Sequence, residues 1–524
     1  MKKVLPKLVT SVLALALSAQ ASADSDRYII KFKTGKGPAV QAQVKQSGGR
    51  LALALDKHDA MAAHLPAKAL TALQNNPNVE YVEKDVKRYP LSQTVPYGIP
   101  MVQADQVSDV AGGNSTVCII DSGYDTSHED LSGNAVTGTN DSGTGNWSDD
   151  ENGHGTHVAG TIAAMNNGVG VVGVMPNTNI NLHIVKVFDA EGWAYSSSLV
   201  AAADTCASNN ANVINMSLGG SFKSRTEDQA FADLYANQGI LSIAAAGNDG
   251  NTRHSYPASY DSVVSVAAID SDKVVADFSQ QTNQVELSGP GVGVLSSVPM
   301  GTGLATDLTV DGAAIDAAGM EGSPLASATG ALADCGTAES ACASASGKIC
   351  LIARGNISFA DKVLNCEAGG GIGAVIYNNE PGMLFGTLGE TATDIPSAGI
   401  SDTDGAVLLN QLGASTTLTL GPSNYAFFDG TSMATPHVAG VAALVWSHFP
   451  NCAPGEIRAA LNATAEDLGE AGRDDAYGYG LVQAQAAKDY LATNACTGSN
   501  PDSGSSTGGK GKGNGGGRGN PNKP

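Results

Sequence analysis

Between about residues 117 and 245, short, mostly apolar runs alternate with stretches of helical spacing. Val117-Cys118-Ile119-Ile120, residues 184–187, 213–216 and 240–245 each read as a buried strand. Between them, residues 157–165, 197–209 and 227–236 carry apolar positions three and four apart and read as helices. Strands with no polar alternation, separated by helices, predict an α/β domain with a mostly parallel sheet covered on both faces. In such a sheet, functional residues are expected just past the C-terminal strand ends.

The flanking regions read differently. Residues 27–32 and 79–83 look like strands and 67–73 like a helix begun by Pro66, so 24–91 forms a small α+β unit ending in the extended run Arg88-Tyr89-Pro90-Leu91. The α/β pattern, which covers 92–299, pauses after Pro299 and resumes over 423–496. The intervening 300–422 contain expected strands at 348–352 and 374–377 around a helix at 359–367, which marks a β-rich inserted domain. Residues 497–524 are rich in Gly, Ser, Asn and Lys without periodicity and are expected to be a disordered tail. At the other end, Lys2, Lys3 and Lys7, an apolar run over 9–17 and Ala21-Ser22-Ala23 make 1–23 a bacterial-type signal peptide. That apolar run is short for a membrane span, so a secreted protein without a membrane anchor is expected.

Charge and cysteines narrow the picture. The 524 residues carry a formal net charge of −22. Residues 24–91 hold 11 basic and 7 acidic side chains, a net of +4, whereas 92–496 hold 11 and 43, a net of −32. The body therefore disfavours nucleic acid and suits cations, although a solvated acidic surface accounts for most carboxylates equally well. Eight cysteines in an exported chain allow four disulfides, and no C-x-x-C pair suggests zinc. A mostly local scheme pairs Cys335 with Cys342, Cys350 with Cys366 and Cys452 with Cys496. Cys118 and Cys206 remain as a fourth pair or as small buried hydrophobes.

Candidate chemistry centres on Gly430-Thr431-Ser432-Met433-Ala434, which leads into an apolar helical run over 438–446. Ser432 falls near a helix N-terminus, where free N–H groups favour developing negative charge. A helix cap explains that serine equally well until its partners are considered. Asp121 follows the first strand, His154 lies in His154-Gly155-Thr156-His157, and Asn248 ends Ala244-Ala245-Ala246-Gly247-Asn248. An esterase-type elbow around Ser432 fails at Ala434, where Gly is needed. His157 and His437 read as structural.

With these motifs in this order, the chain resembles the subtilisin-like serine proteases (subtilases) over about 92–299 and 425–491. The resemblance implies a three-layer α/β fold and a secreted endopeptidase working through an acyl-enzyme. Ser432 would be the nucleophile, His154 the base and then the acid, and Asp121 the orienting carboxylate. Asn248 would donate to the oxyanion. Ser217, Leu218, Gly219 and Gly220 would pair with an extended substrate. Ala245, Ala246 and Gly247 would wall the P1 pocket, with Asp249 and Ser255 at its rim and floor, favouring bulky apolar P1 residues and leaving basic ones open.

The loop 166–171 is similar to the family's calcium loop. The implied ligands are Gln93, Asp130 and Asn167 with the carbonyls of Met165, Val169 and Val171. Read alone, it is an ordinary Asn-Gly turn. The acidic stretch 141–151 reads as solvated. Residues 24–91 are similar to an inhibitor-type propeptide cut off after Leu91, and the insert resembles a protease-associated (PA) domain. Protein and peptide substrates, the chain's own propeptide as inhibitor, and a monomer are implied, with no nucleic-acid partner. A catalytically silent binding protein and an exported esterase or peptide ligase are the alternatives.

Overall fold

The computed structural model describes residues 27–84, 93–111, 114–188, 192–389 and 391–499. The expected leader, the processing point between Leu91 and Ser92, and the tail from 500 onward lie outside them. The chain divides into two compact units, Met1–Pro90 and Leu91–Pro524.

The first unit is a four-stranded antiparallel sheet in the order Arg50–Leu55, Ala60–His64, Arg27–Phe32, Val79–Lys84. Helices Gly37–Gln46 and Ala67–Gln74 complete a βαββαβ chain order. Its own core includes Ile30, Val40, Val44, Leu65 and Leu73. The strands at 50–55 and 60–64 escape a periodicity reading because Ala60–His64 has four consecutive buried positions, mostly Ala, a weak strand former.

The second unit is built on a seven-stranded, all-parallel sheet: β1 (Ser115–Asp121), β2 (Ala135–Asn140), β3 (Ile180–Lys186), β4 (Val213–Met216), β5 (Leu241–Ala245), β6 (Val263–Ile269) and β7 (Val285–Pro290), in the order β7-β6-β5-β4-β1-β3-β2. Helices α1 (His154–Ala163), α2 (Ser196–Ser208), α3 (Arg225–Asn237) and α4 (Thr431–His448) cover it. Alternate residues of β1 enter opposite cores. Val117 and Ile119 pack with Val158, Ile162, Val438 and Leu444 of α1 and α4, while Cys118 and Ile120 meet Leu199, Cys206 and Phe231 of α2 and α3. This period-2 split produces the three layers. A Cys118–Cys206 disulfide ties β1 to α2, and the other three bridges join Cys335 to Cys342, Cys350 to Cys366 and Cys452 to Cys496.

The insert leaves the body where Val294–Ser297 pairs antiparallel with Tyr425–Phe428. It forms an eight-stranded sheet that is parallel across Ser327–Asp334, Ile349–Ala353, Gly373–Tyr377 and antiparallel across Gly303–Val310 and Ser415–Ser423. At the C-terminal end, the described residues run to Ser499. The Thr497 and Gly498 N–H groups donate to the Glu456 carboxylate at 2.5 and 3.1 Å.

Candidate active site

Helix α1 starts at His154, three residues before the point that its apolar spacing suggests. Asp150 is the reason. Its carboxylate accepts the N–H of Gly153 (2.9 Å) and both the N–H (2.8 Å) and hydroxyl (2.6 Å) of Thr156. An acid at a helix N-terminus satisfies orphan donors and the helix dipole. Ser122 joins that network: its hydroxyl donates to Asp150 (2.8 Å) and accepts the Gly155 N–H (2.9 Å). Any side chain at Gly155 would run into the Gly123 backbone, so glycine lets the helix start approach the end of β1. Asp150 and Ser122 were not singled out by sequence; Asp150 lay hidden in a run of acidic residues.

That approach sets His154 Nδ1 2.8 Å from Asp121 Oδ1. Asp121 is fully buried at the end of β1 and also accepts the Ser122 N–H at 2.8 Å. Burial pushes the His154 pKa down, but the charge and hydrogen bond of Asp121, helped by Asp150, outweigh it and leave the pKa raised. His157 and His437 differ. Burial holds them at about 3 and about 4, hence neutral. His157 Nε2–H donates to the Val294 carbonyl (2.9 Å) and His437 Nδ1–H to the Met433 carbonyl (2.9 Å), which fits structural roles.

Ser432 is the second residue of α4. Pro436, four residues on, has no N–H to give the Ser432 carbonyl. The Ser217 hydroxyl donates to that carbonyl instead (2.7 Å), and the Ser432 hydroxyl donates to the Ser217 carbonyl (3.1 Å). Among the described residues no hydrogen bond joins Ser432 to His154. A rotation about χ1 of Ser432 has to precede any proton transfer to the imidazole. Asn248, just past β5, accepts the Thr431 N–H (2.9 Å) and hydroxyl (2.7 Å) through Oδ1. Both donors fix the amide orientation, leaving its NH₂ as the group to donate elsewhere. His154, Asn248 and Ser432 line one cleft of about 1030 Å³, whose far wall comes from the insert, including Glu321 and Phe385.

Ser217, Leu218, Gly219 and Gly220 line a neighbouring pocket together with His154. Ala245 and Ala246 are buried at the end of β5. A side chain at Gly219 would meet Ser255, and one at Gly247 would meet Gln280 and Ser255, so these four converge. Gln280 is an addition to the expected set. Asp249 is exposed and lines neither cleft.

At the expected cation loop, Gln93 Nε2 lies among three oxygens: the carbonyls of Met165 (2.6 Å) and Val171 (3.1 Å) and Asn167 Oδ1 (3.4 Å). Buried Asp130 accepts Asn167 Nδ2–H (2.9 Å) and the Val171 N–H (2.8 Å). Val169 enters through its N–H, which donates to Asn167 Oδ1 (2.9 Å). Oxygens gathered around one polar atom beside a buried carboxylate are a donor set that fits a hard cation.

Residues 112–480 match the model of the subtilase family of peptidases. Subtilisin amylosacchariticus of Bacillus subtilis subsp. amylosacchariticus is 38% identical over 299 residues, 55% of this chain and 77% of that protein. Subtilisin DY of Bacillus licheniformis is 44% identical over 217 residues, 40% of this chain and 77% of that protein. Among solved structures, the psychrophilic subtilisin-like protease Apa1 from the Antarctic psychrotroph Pseudoalteromonas sp. AS-11 shares 48% identity. It superposes with a TM-score of 0.66 over 78% of this chain and 100% of that one.

Proposed function

The chain belongs to the subtilase family and is a serine endopeptidase hydrolysing peptide bonds in protein substrates, and from that premise we propose the following division of roles. Ser432 is the nucleophile, His154 its general base, and Asp121 the residue that orients the imidazole and stabilises its charged form. The Ser432 hydroxyl turns from the Ser217 carbonyl to His154 Nε2 and gives up its proton as Oγ attacks the scissile carbonyl. The Asn248 NH₂ and the Ser432 N–H receive the oxyanion, where charge appears only in the transition state. His154 returns the proton to the leaving amine, and water, deprotonated by the same imidazole, cleaves the acyl-enzyme.

The observation that carries this reading is the 2.8 Å contact between His154 Nδ1 and Asp121, in a cleft shared with Ser432 and Asn248. A serine-directed phosphonate should label Ser432 stoichiometrically, and Ser432→Ala should lose both labelling and casein hydrolysis. Normal turnover by that variant would refute the assignment.

Substrates bind extended along Ser217, Leu218, Gly219 and Gly220, with a bulky apolar P1 side chain against Ala245, Ala246 and Gly247. Calcium is held by Gln93, Asp130 and Asn167 with the carbonyls of Met165, Val169 and Val171, once the Gln93 amide turns its oxygen inward. The ion supplies positive charge that ties the segment after 92 to the 165–171 loop. The protein is exported through its leader as a precursor, and residues 24–91 act as an inhibitory propeptide. The division between Pro90 and Leu91 supports that limit. The insert is a PA-like domain beside the cleft. Among the described residues no helix is long and apolar enough to cross a membrane.

A further inference from the structure

The pocket beside Ser217 and Gly220 has a floor that an apolar subsite does not need. It measures about 390 Å³, and much of its wall is aromatic or aliphatic, with Tyr195, Leu199, Phe222 and Tyr256 among the lining residues. Phe222 is 91% and Tyr195 68% exposed, so two rings stand open at the rim. Among the described lining residues Glu227 is the one carboxylate, and it is 3% exposed. Its side chain receives one hydrogen bond among the described residues, from the Tyr260 hydroxyl to Oε2 at 2.6 Å. Lys223, just before the cap of α3, is engaged by Asp228 at 2.8 Å and lies over the Tyr260 ring. Burial pushes the Glu227 carboxyl up despite the Tyr260 bond. The first-turn position on α3 offsets part of the cost of ionising this carboxyl, and a cation arriving with the ligand offsets more of it.

We propose that Glu227 makes this pocket select a lysine or arginine side chain at P4 of the substrate; the inference rests on the endopeptidase reading above. The position follows from strand geometry. Alternate side chains of an extended chain share a face, and the pocket runs from His154, beside the scissile bond, to Glu227. P2 lies over the His154 end and P4 over the Glu227 end. The aliphatic stem of a basic side chain fills the space between Leu199 and the rings, the rings stabilise the cation, and its N–H groups reach the carboxylate.

The test uses the mature enzyme and capped tetrapeptide anilides that differ only at P4: lysine, arginine, alanine, leucine or glutamate. A hydrogen-bonded charge pair predicts kcat/KM at least about tenfold higher for the basic residues than for leucine. Glu227→Leu should reverse that order. Glu227→Gln, which keeps an acceptor for Tyr260, should abolish the basic preference while leaving the alanine substrate unchanged. Wild-type preference for leucine over lysine, or the same lysine-to-leucine ratio in the variants, would overturn the inference alone. Failure to cleave any of the five would overturn the endopeptidase reading with it.

Discussion

Thr431 clamps Asn248: its N–H and hydroxyl both donate to the Asn248 amide oxygen, at 2.9 and 2.7 Å. The Thr431 hydroxyl in turn accepts the Gly247 N–H at 3.2 Å. The residue before the proposed nucleophile thus orients the proposed oxyanion donor. Asn248→Ala should lower kcat by about 10²–10³ with KM little changed. Thr431→Val, which keeps the N–H but loses the hydroxyl, should cost about five- to tenfold in kcat. Thr431→Ser should restore it. An effect confined to KM would place Asn248 in ground-state binding.

In the proposed mechanism His154 must be neutral to accept the Ser432 proton. With its pKa raised, the acid limb of kcat/KM should fall above the ordinary histidine value of about 6.5. Asp121→Asn should shift that limb downward and reduce kcat by about 10⁴. The stability effect has the opposite sense. Protonated His154 stabilises the fold fully below about 6.5, and this contribution disappears as pH rises through the folded-state pKa. A pH–rate profile unmoved in Asp121→Asn would contradict the assignment.

Calcium should raise the melting temperature of the mature enzyme. Binding to the native state alone adds about 2.7 kcal/mol at a hundredfold excess over Kd. Chelator should remove the gain, and Asp130→Ala should abolish the difference between calcium and chelator in a thermal scan. Equal melting curves for the wild type in both conditions would refute the site.

Residues 24–91, added in trans, should inhibit the mature enzyme, whose first residue should be Ser92. Opposite net charges of +4 and −32 on the two parts favour association, so inhibition should weaken as salt rises. Fully active protein that still begins near Asp24 would rule out the inhibitory role.

Glu286 and Arg458 form a bidentate pair, with Nε–Oε1 at 2.6 Å and Nη2–Oε2 at 2.5 Å, while Asn462 also donates to Oε1 at 2.7 Å. The side chains are 8% and 15% exposed. Glu286→Leu leaves the guanidinium without its buried partner and should destabilise by about 3–5 kcal/mol. Denaturant unfolding measures this directly.

The elements that sequence revealed share one property. Strands β1, β3, β4 and β5 are buried on both faces and appear as mostly apolar runs; Asp121 and Asn248 lie just where such runs end, and Ser432 where an apolar helical run begins. The residues that sequence did not reveal act through shape. Thr431 and Ser122 resemble ordinary small polar residues until folding brings Asn248 and Asp150 to them. Gly303–Val310 has a mixed burial pattern and joins its partner across more than a hundred residues of chain, a pairing that no local window contains. The Cys118–Cys206 bridge spans 88 residues, and composition leaves it open for the same reason.

The pairing of Val294–Ser297 with Tyr425–Phe428 has an architectural consequence. The Val298 N–H donates to the Asn424 carbonyl at 2.9 Å, so the entry and exit of the insert touch. From the catalytic layer, residues 299–423 amount to a very large hairpin loop. Closing a longer loop costs little more than closing a short one, and here the closure is made by the body's own ladder. The two parts of the gene are therefore separable in principle: a short turn could replace the insert without unpicking a single strand of the seven-stranded sheet, and a different module could be grafted at the same seam.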